Sequence, residues 1–417
     1  MKSIKKLLLR FRYRLKILAY NSRKKRLVKK VFSKDKITVV FFVLYDNMWK
    51  IDGLFELLMK NPRFSPFIIS SPYPHHPRKF GIENQKKVEL FFKKKDYPYI
   101  NGYDFDKDKC FDIASINPDI VFYQQPYNTG YKDFKIETLW KHSIFGYVPY
   151  CYTLEDEPGM FDQLLTNIAW RVFLSSEAEV KTVGQYLHNN GNNLVPTGYP
   201  LAESLSKNES EFNCQLWKHI RDSRKRVIWA PHHSILDTDI LNYSNFLSIA
   251  EDFLALADEY KDTIDFAFKP HPVLKRKLYK LEGWGEKKTD KYYEAWANKQ
   301  NTCLIEGDYI DLFVSSDALI HDCSTFTAEY LYTRKPLMFI SKPNMKNCFN
   351  EFGRMCFSQH YIGHNIEDIK SFIDNVVILG NDPQKMERDR FYSEHLVSYK
   401  GASIAQNMFN EFIKELE

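Results

Sequence analysis

The amino-acid sequence predicts an α/β protein built of two successive parallel-sheet units. Its 417 residues, 44% hydrophobic and 27% charged, are ample for a buried core and too many for one ordinary compact domain. Strand-length runs of β-branched and aromatic residues alternate with stretches of helical period, the pattern of a mostly parallel sheet covered on both faces. The alternation halts in a polar stretch from Ala202 to Arg224, rich in Ser, Asn and Lys, and then restarts.

A basic segment precedes the first strand. The formal net charge is only +6, yet every charged residue from Lys2 to Lys30 is a cation, and the first acid is Asp35. Read as a helix, this segment aligns Ile4, Leu8, Phe11, Leu15 and Leu18 on one stripe and its cations on the other faces. Such a helix suits an anionic membrane surface, with residues 1–30 as the contact. A solvated basic tail or a nucleic-acid arm would carry the same charge, but neither needs the apolar periodicity. No segment approaches the length of a spanning helix or a signal-peptide core, so a cytoplasmic, peripheral position on the inner face of the cell membrane is expected, without nucleic acid as partner. Seven cysteines (Cys110, Cys151, Cys214, Cys303, Cys323, Cys348, Cys356) are dispersed without a C-x-x-C pair. That suits a reducing compartment, and neither a metal site nor a cofactor is expected.

The first unit opens with "KITVVFFVLY" (Lys36 to Tyr45), a continuous apolar run of the kind buried on both faces. Strands follow in "FSPFIIS", "PDIVFYQQP", "SIFGYVPY" and "WRVFLSS", then a helix in "EAEVKTVGQYLHN" and the segment "NLVPTGYP". After the polar stretch, "RVIWAP", "IDFAFKPHP", "ALIHD" and "PLMFIS" are strands, with helices in "YSNFLSIAEDFLALADEY" and "TFTAEYLYT". In open sheets of this kind, ligands lie beyond the carboxyl ends of the strands.

Three strand ends of the second unit carry candidate chemistry. "WAPHHS" supplies His232 and His233, "FKPHP" supplies Lys269 and His271, and "HDCSTFTAEY" supplies Asp322, Ser324, Thr325 and Glu329. Ser324 or Thr325 is placed to cap the following helix, whose N-terminus would attract a phosphate. Glu329, about one turn further, could accept hydrogen bonds from a ribose diol. Each feature alone has a plain structural use, an N-cap or a hydrogen-bonded histidine. Three such strand ends within one unit are harder to ascribe to packing, because unpaired buried polar groups cost about 1–3 kcal/mol. The triplet Asp237, Thr238 and Asp239 reads as surface loop, and "SPYPHHP" (Ser71 to Pro77) as a rigid turn after the second strand. Neither a phosphate-binding G-x-x-x-x-G-K-[ST] nor a G-x-G-x-x-G after the first strand occurs.

From about Trp170 to Ile340 the order of these motifs resembles the CDP-glycerol glycerophosphotransferase family, the teichoic acid primases and polymerases of the GT-B fold. Gly198, Tyr199 and Pro200 match its "GYPRxD" segment, Ala230 and Pro231 its "APTWR", and His271 and Pro272 its "RxHP". "SDALIHDCSTFTAEYLYTRKPLMFI" matches "aDxLITDYSSvxxD…kPxxxy", with Asp322, Ser324 and Thr325 on its D-x-S-S, Glu329 on its last acid and Pro336 on its proline. The family's "WHGTPLK" motif, whose His is the presumed base, has no counterpart; "SIFGYVPYCYTLEDEPG" stands there, with His142 out of register.

The resemblance implies a GT-B-like α/β fold of two Rossmann-like domains facing an interdomain cleft. After a membrane-associating arm at 1–35 would come an acceptor domain at 36–205, a CDP-donor domain at 206–380 and C-terminal helices at 381–417 packing back across the hinge. It implies transfer of a glycerol phosphate or related polyol phosphate from a CDP-linked donor to a lipid-linked or polymeric acceptor, in teichoic acid or capsule synthesis. Lys269, His271, Asp322, Ser324, Thr325 and Glu329 would bind the donor. His232, His233 and His271 would be catalytic, either His232 or His233 serving as general base. A GT-B enzyme using a CMP- or UDP-sugar, and a non-catalytic nucleotide-binding protein, are the alternatives.

Overall fold

The computed structural model describes residues 2–206, 216–219, 223–236, 242–397 and 401–417, with side chains from residue 11 onward. The chain forms two compact units. One comprises Met1–Cys151, Glu157–Pro200 and Ser398–Glu417, the other Tyr152–Asp156 and Leu201–Val397.

The first unit holds strands β1 (Ile37–Val43), β2 (Phe64–Ser70), β3 (Tyr99–Ile100), β6 (Ile120–Tyr123), β7 (Ile144–Tyr147), β8 (Arg171–Leu174) and β9 (Leu194–Pro196), with a small hairpin of β4 (Tyr103–Asp104) and β5 (Lys109–Cys110). The seven-stranded sheet is parallel in the order β3-β2-β1-β6-β7-β8-β9. Strand β1 is buried along nearly its whole length, as its unbroken apolar run requires. Phe41 stacks on Phe122 of β6, with ring centroids 4.8 Å apart.

The basic segment is a single helix, Lys2–Phe32. Its second half is part of the first unit: Tyr20, Val31 and Phe32 are buried, and the Tyr20 hydroxyl donates to the Ser143 carbonyl at 3.2 Å. Phe11, Leu15 and Leu18 point to solvent, 58%, 47% and 65% exposed. The side chains of Ile4 and Leu8 lie outside the described residues. The last helix, Ile404–Leu416, sets Phe412 against Phe64, Phe122 and Trp170, while Arg171 pairs with its Glu411 and Glu415. Gly198, at φ +102°, takes a conformation that side chains resist, and a Cβ there would stand 2.7 Å from Ile404 of that helix.

The second unit carries β10 (Lys225–Ala230), β11 (Ile264–Phe268), β12 (Thr302–Leu304), β13 (Ala318–His321), β14 (Leu337–Ile340) and β15 (Tyr361–Gly363), parallel in the order β12-β11-β10-β13-β14-β15. Trp229 anchors its core, stacked on Phe253 at 4.2 Å and flanked by Phe246, Phe268 and Trp296. The polar stretch after Pro200 is more than a linker. It contains the helix Ala202–Leu205 and the buried Trp217, whose indole N–H donates to Ser315 Oγ at 2.8 Å. Asp237, Thr238 and Asp239 lie outside the described residues.

Strand order reverses between β1 and β6 in one sheet and between β10 and β13 in the other. Connections leave in opposite directions at such a point and open a crevice beyond the carboxyl ends.

Candidate functional site

In the second unit, the residues singled out in the sequence sit at that reversal. Ala230 pairs with His321 and Trp229 with Phe268, so β11, β10 and β13 end side by side. Residues just past them, His232 and His233, Lys269 and His271, and Asp322 to Thr325, leave the sheet from neighbouring strands. The rings of His232 and His271 lie 5.1 Å apart, those of His233 and His271 4.3 Å, and those of His232 and His233 4.2 Å.

Hydrogen bonds set the tautomers of two of these imidazoles. Ser234 Oγ accepts the backbone N–H groups of Tyr243 and Ser244, so its own proton points to His232 Nδ1, 2.8 Å away. His271 Nδ1 accepts the N–H of Val273 at 3.2 Å. Both rings therefore carry their proton on Nε2 when neutral, a tautomer assigned from these partners. Burial, helped by His233 and Lys269, pushes the His271 pKa down to about 3, so at neutral pH this ring is an uncharged N–H donor.

The positive charge comes from Lys269. Its side chain is only 5% exposed, and it makes no ion pair among the described residues. Burial lowers its pKa, partly offset by the nearby Cys323, Asp308 and Glu306. A buried ammonium is costly, and an anion brought beside it would offset that cost.

Asp322 is buried and faces inward. Its carboxylate accepts the N–H of His232 at 2.5 Å and of Asn245 at 2.7 Å, and burial pushes its pKa up to about 7. It thus ties the loop after β10 to the residues before the helix Phe326–Glu329, setting the position of His232. Asn245, which no sequence motif singled out, extends this tie by donating through Nδ2 to the Ile340 carbonyl at 2.8 Å.

The expected side-chain cap by Ser324 or Thr325 is absent. Thr325 itself has αR dihedrals, with no cap bond, and its hydroxyl donates to the Tyr152 carbonyl at 3.4 Å. The chain is already turning helically at Thr325, which leaves no extended cap residue. Ser324 Oγ is instead buried without a partner, a polar atom available to a ligand. Glu329 is fully buried within the helix Phe326–Glu329.

The ligand atoms of His232, His233 and His271 lie within 4.8 Å of one another, a spacing that a metal ion could span. A metal needs the nitrogen lone pairs, and on His232 and His271 the Nε2 atoms carry protons. The N–H donors, the buried ammonium and the unsatisfied hydroxyl at these strand ends are groups chemically suited to an anion.

No curated protein matches this chain. Among solved structures, a UDP-N-acetylglucosamine 2-epimerase from Listeria monocytogenes is 15% identical with a TM-score of 0.58, covering 91% of this chain and 96% of that one. A variant of the wall teichoic acid polymerase TagF is 14% identical with a TM-score of 0.57, covering 98% of both chains. The UDP-GlcNAc 2-epimerase from Neisseria meningitidis is 14% identical with a TM-score of 0.54, covering 91% of this chain and all of that one. These likenesses establish the GT-B class for the two parallel-sheet units. The family model for CDP-glycerol:poly(glycerophosphate) glycerophosphotransferases matches residues 157–412, more than half of the sequence and the whole of the His, Lys and Ser cluster. The chain therefore belongs to the CDP-glycerol:poly(glycerophosphate) glycerophosphotransferase family and is an enzyme of that transferase type.

Proposed function

We propose that the protein transfers glycerol phosphate, or a related polyol phosphate, from a CDP-linked donor to a hydroxyl of a cell-surface polymer or its lipid-linked precursor. The observation that carries the reading is the unpaired, buried Lys269 beside the Nε2–H donors of His232 and His271 and the partnerless Ser324 hydroxyl. Together they suit the doubly charged pyrophosphate of the donor. Thr325 would line the same phosphate site, while Asp322 acts through the loop it holds. Membership of the family supports the CDP-polyol donor, and the likeness to a teichoic acid polymerase supports a polymer acceptor.

In the reaction the acceptor oxygen bonds to the β-phosphorus as the bond from that phosphorus to the bridging oxygen breaks, and CMP leaves with the bonding electrons. The hydroxyl proton passes to a base. Phosphoryl transfer asks little covalent help of the protein and depends on positioning and on donors aimed at the charged oxygens. Lys269 and His271 would stabilise the charge growing on the departing CMP. With His232 and His271 presenting protons, His233 is the remaining imidazole of the cluster for the role of general base. The exposed Phe11, Leu15 and Leu18 on a cationic helix support attachment to the inner face of an anionic membrane.

The test is CMP release by purified protein with CDP-glycerol, CDP-ribitol and a panel of nucleotide sugars. CMP from a CDP-polyol is expected, and its abolition in a folded His271→Ala variant. Full activity in that variant, or turnover of a nucleotide sugar alone, overturns the reading.

A further inference from the structure

The segment Tyr152–Asp156 belongs to the second unit, and specific bonds hold it there. Asn350 donates its backbone N–H to the Leu154 carbonyl at 2.8 Å and its Nδ2–H to the Thr153 carbonyl at 3.1 Å, while Asp156 donates to the Cys348 carbonyl at 2.8 Å. Glu155 pairs with Phe349 in an antiparallel bridge. A Cβ on Gly353 would stand 2.5 Å from the Leu154 oxygen, so this close approach requires glycine. With Thr325 bonded to the Tyr152 carbonyl, the segment lies against the phosphate-suited strand ends and brings a carboxylate to their edge.

That carboxylate is Glu155, 7% exposed and without an ion pair among the described residues. Its Oε2 accepts the Leu154 N–H at 3.0 Å, and its Oε1 accepts no hydrogen bond among the described residues. Beside it is the hydroxyl of the buried Tyr243, whose pKa is raised by burial and, after that, by the Glu155 carboxylate. This hydroxyl has no hydrogen-bond partner. The Tyr243 ring stacks on Phe349 at 6.0 Å and lies 5.8 Å from the ring of His232, and its backbone N–H donates to Ser234 Oγ at 2.9 Å. A donor lacking an acceptor thus stands next to an acceptor lacking a donor, both on braced backbone. Buried polar groups are seldom left so, because each has lost its water.

We infer that Glu155 and Tyr243 together receive a hydroxyl of the polyol carried by the CDP-linked donor, and so help select the group that is transferred; the inference rests on the donor reading above. A group inserted between them must accept a hydrogen bond from the phenol and donate one to the carboxylate. A hydroxyl does both. A phosphate oxygen only accepts, and its charge is repelled by the carboxylate. The polyol is bonded to the β-phosphate, so its hydroxyls stay close to the phosphate cluster, where Tyr243 adjoins His232. A ribose hydroxyl has the same chemistry, and the two sources are separated by experiment.

Calorimetric titration of the full-length protein with CDP-glycerol and, separately, with CDP, which carries the ribose but no polyol, reads the contact. Tyr243→Phe and Glu155→Gln should each weaken CDP-glycerol about tenfold, equivalent to ~1.4 kcal/mol, and leave CDP within about twofold of the unaltered protein. Tyr243→Phe removes only a partnerless hydroxyl, so its thermal unfolding should be no lower than the parent's, and it keeps the test decisive where Glu155→Gln fails to fold. Equal weakening of CDP and CDP-glycerol assigns the contact to the ribose and overturns the inference. Unchanged CDP-glycerol affinity in Tyr243→Phe also overturns it, and is the result expected where water alone bridges the pair. Failure of the donor reading has a separate signature, no binding of either nucleotide by the unaltered protein, and takes the inference with it.

Discussion

Lys269 and Asp322 are both buried, both ionisable and both at strand ends, yet they do different work. Asp322 spends its carboxylate on two backbone N–H groups and so behaves as a brace. Lys269 makes no ion pair among the described residues, and its burial is a cost that the nearby Asp308 and Glu306 offset only in part. Replacing it by Met keeps the length of the side chain and removes the charge. Lys269→Met should raise the stability of the second unit by about 1 kcal/mol while weakening CDP-glycerol at least tenfold, as read by thermal unfolding and by calorimetric titration. Unchanged affinity would remove Lys269 from the donor site.

Among the elements, the helix Lys2–Phe32 has two apolar faces in different surroundings. Tyr20, Leu27, Val28 and Val31 pack into the first unit, and Phe11, Leu15 and Leu18 do not. Replacing those three exposed residues by Ser should leave thermal unfolding within about 0.5 kcal/mol of the parent and abolish sedimentation with phosphatidylglycerol vesicles. Val31→Ala, on the packed face, should cost roughly 1–3 kcal/mol and leave vesicle binding intact. Equal vesicle binding by parent and triple variant would end the membrane proposal. The sequence pattern picked out Phe11, Leu15 and Leu18 as one stripe, and the structure leaves these three exposed. The pattern could not disclose the packed face, whose partners Ser143, Trp140 and Phe145 come from more than a hundred residues away.

For the whole molecule, buried imidazoles of the second unit make stability fall in acid. His271 and His360 are pushed down to about 3, and His321 well below its ordinary value, chiefly by burial in the second unit. Between pH 6.5 and 3 the unfolded chain takes up protons that these folded imidazoles refuse, so stability is full above about pH 6.5 and falls with pH. His271 and His360 each contribute a loss of roughly 2 kcal/mol between pH 7 and pH 5, and His321 acts in the same direction. Asp322 works in the opposite sense, since a carboxyl raised to about 7 favours the folded state as it protonates, but it is one group against three. The melting temperature should therefore drop between pH 7 and 5, and His360→Phe should flatten the slope. A pH-independent transition would show that these rings are not neutral in the folded protein.

Nine of the parallel strands could be read from the sequence, since buried parallel strands are unbroken apolar runs, but their order within each sheet could not. The short β3, β12 and β15 could not be read, because two or three residues at a sheet edge carry no period. Similarly, His232, His271, Lys269 and Ser324 were legible as residues after strands, and the family follows from the same motifs. Their chemical states were not. That Ser324 caps nothing, that His271 is a neutral donor, that Asp322 braces a backbone and that Lys269 makes no ion pair all depend on partners supplied by other strands. The sequence alone determined which polar and charged groups lie just after the strands, because strand ends are set by local pattern. Only the tertiary structure decided what each group does there, because protonation and hydrogen bonding are properties of an environment assembled from distant residues.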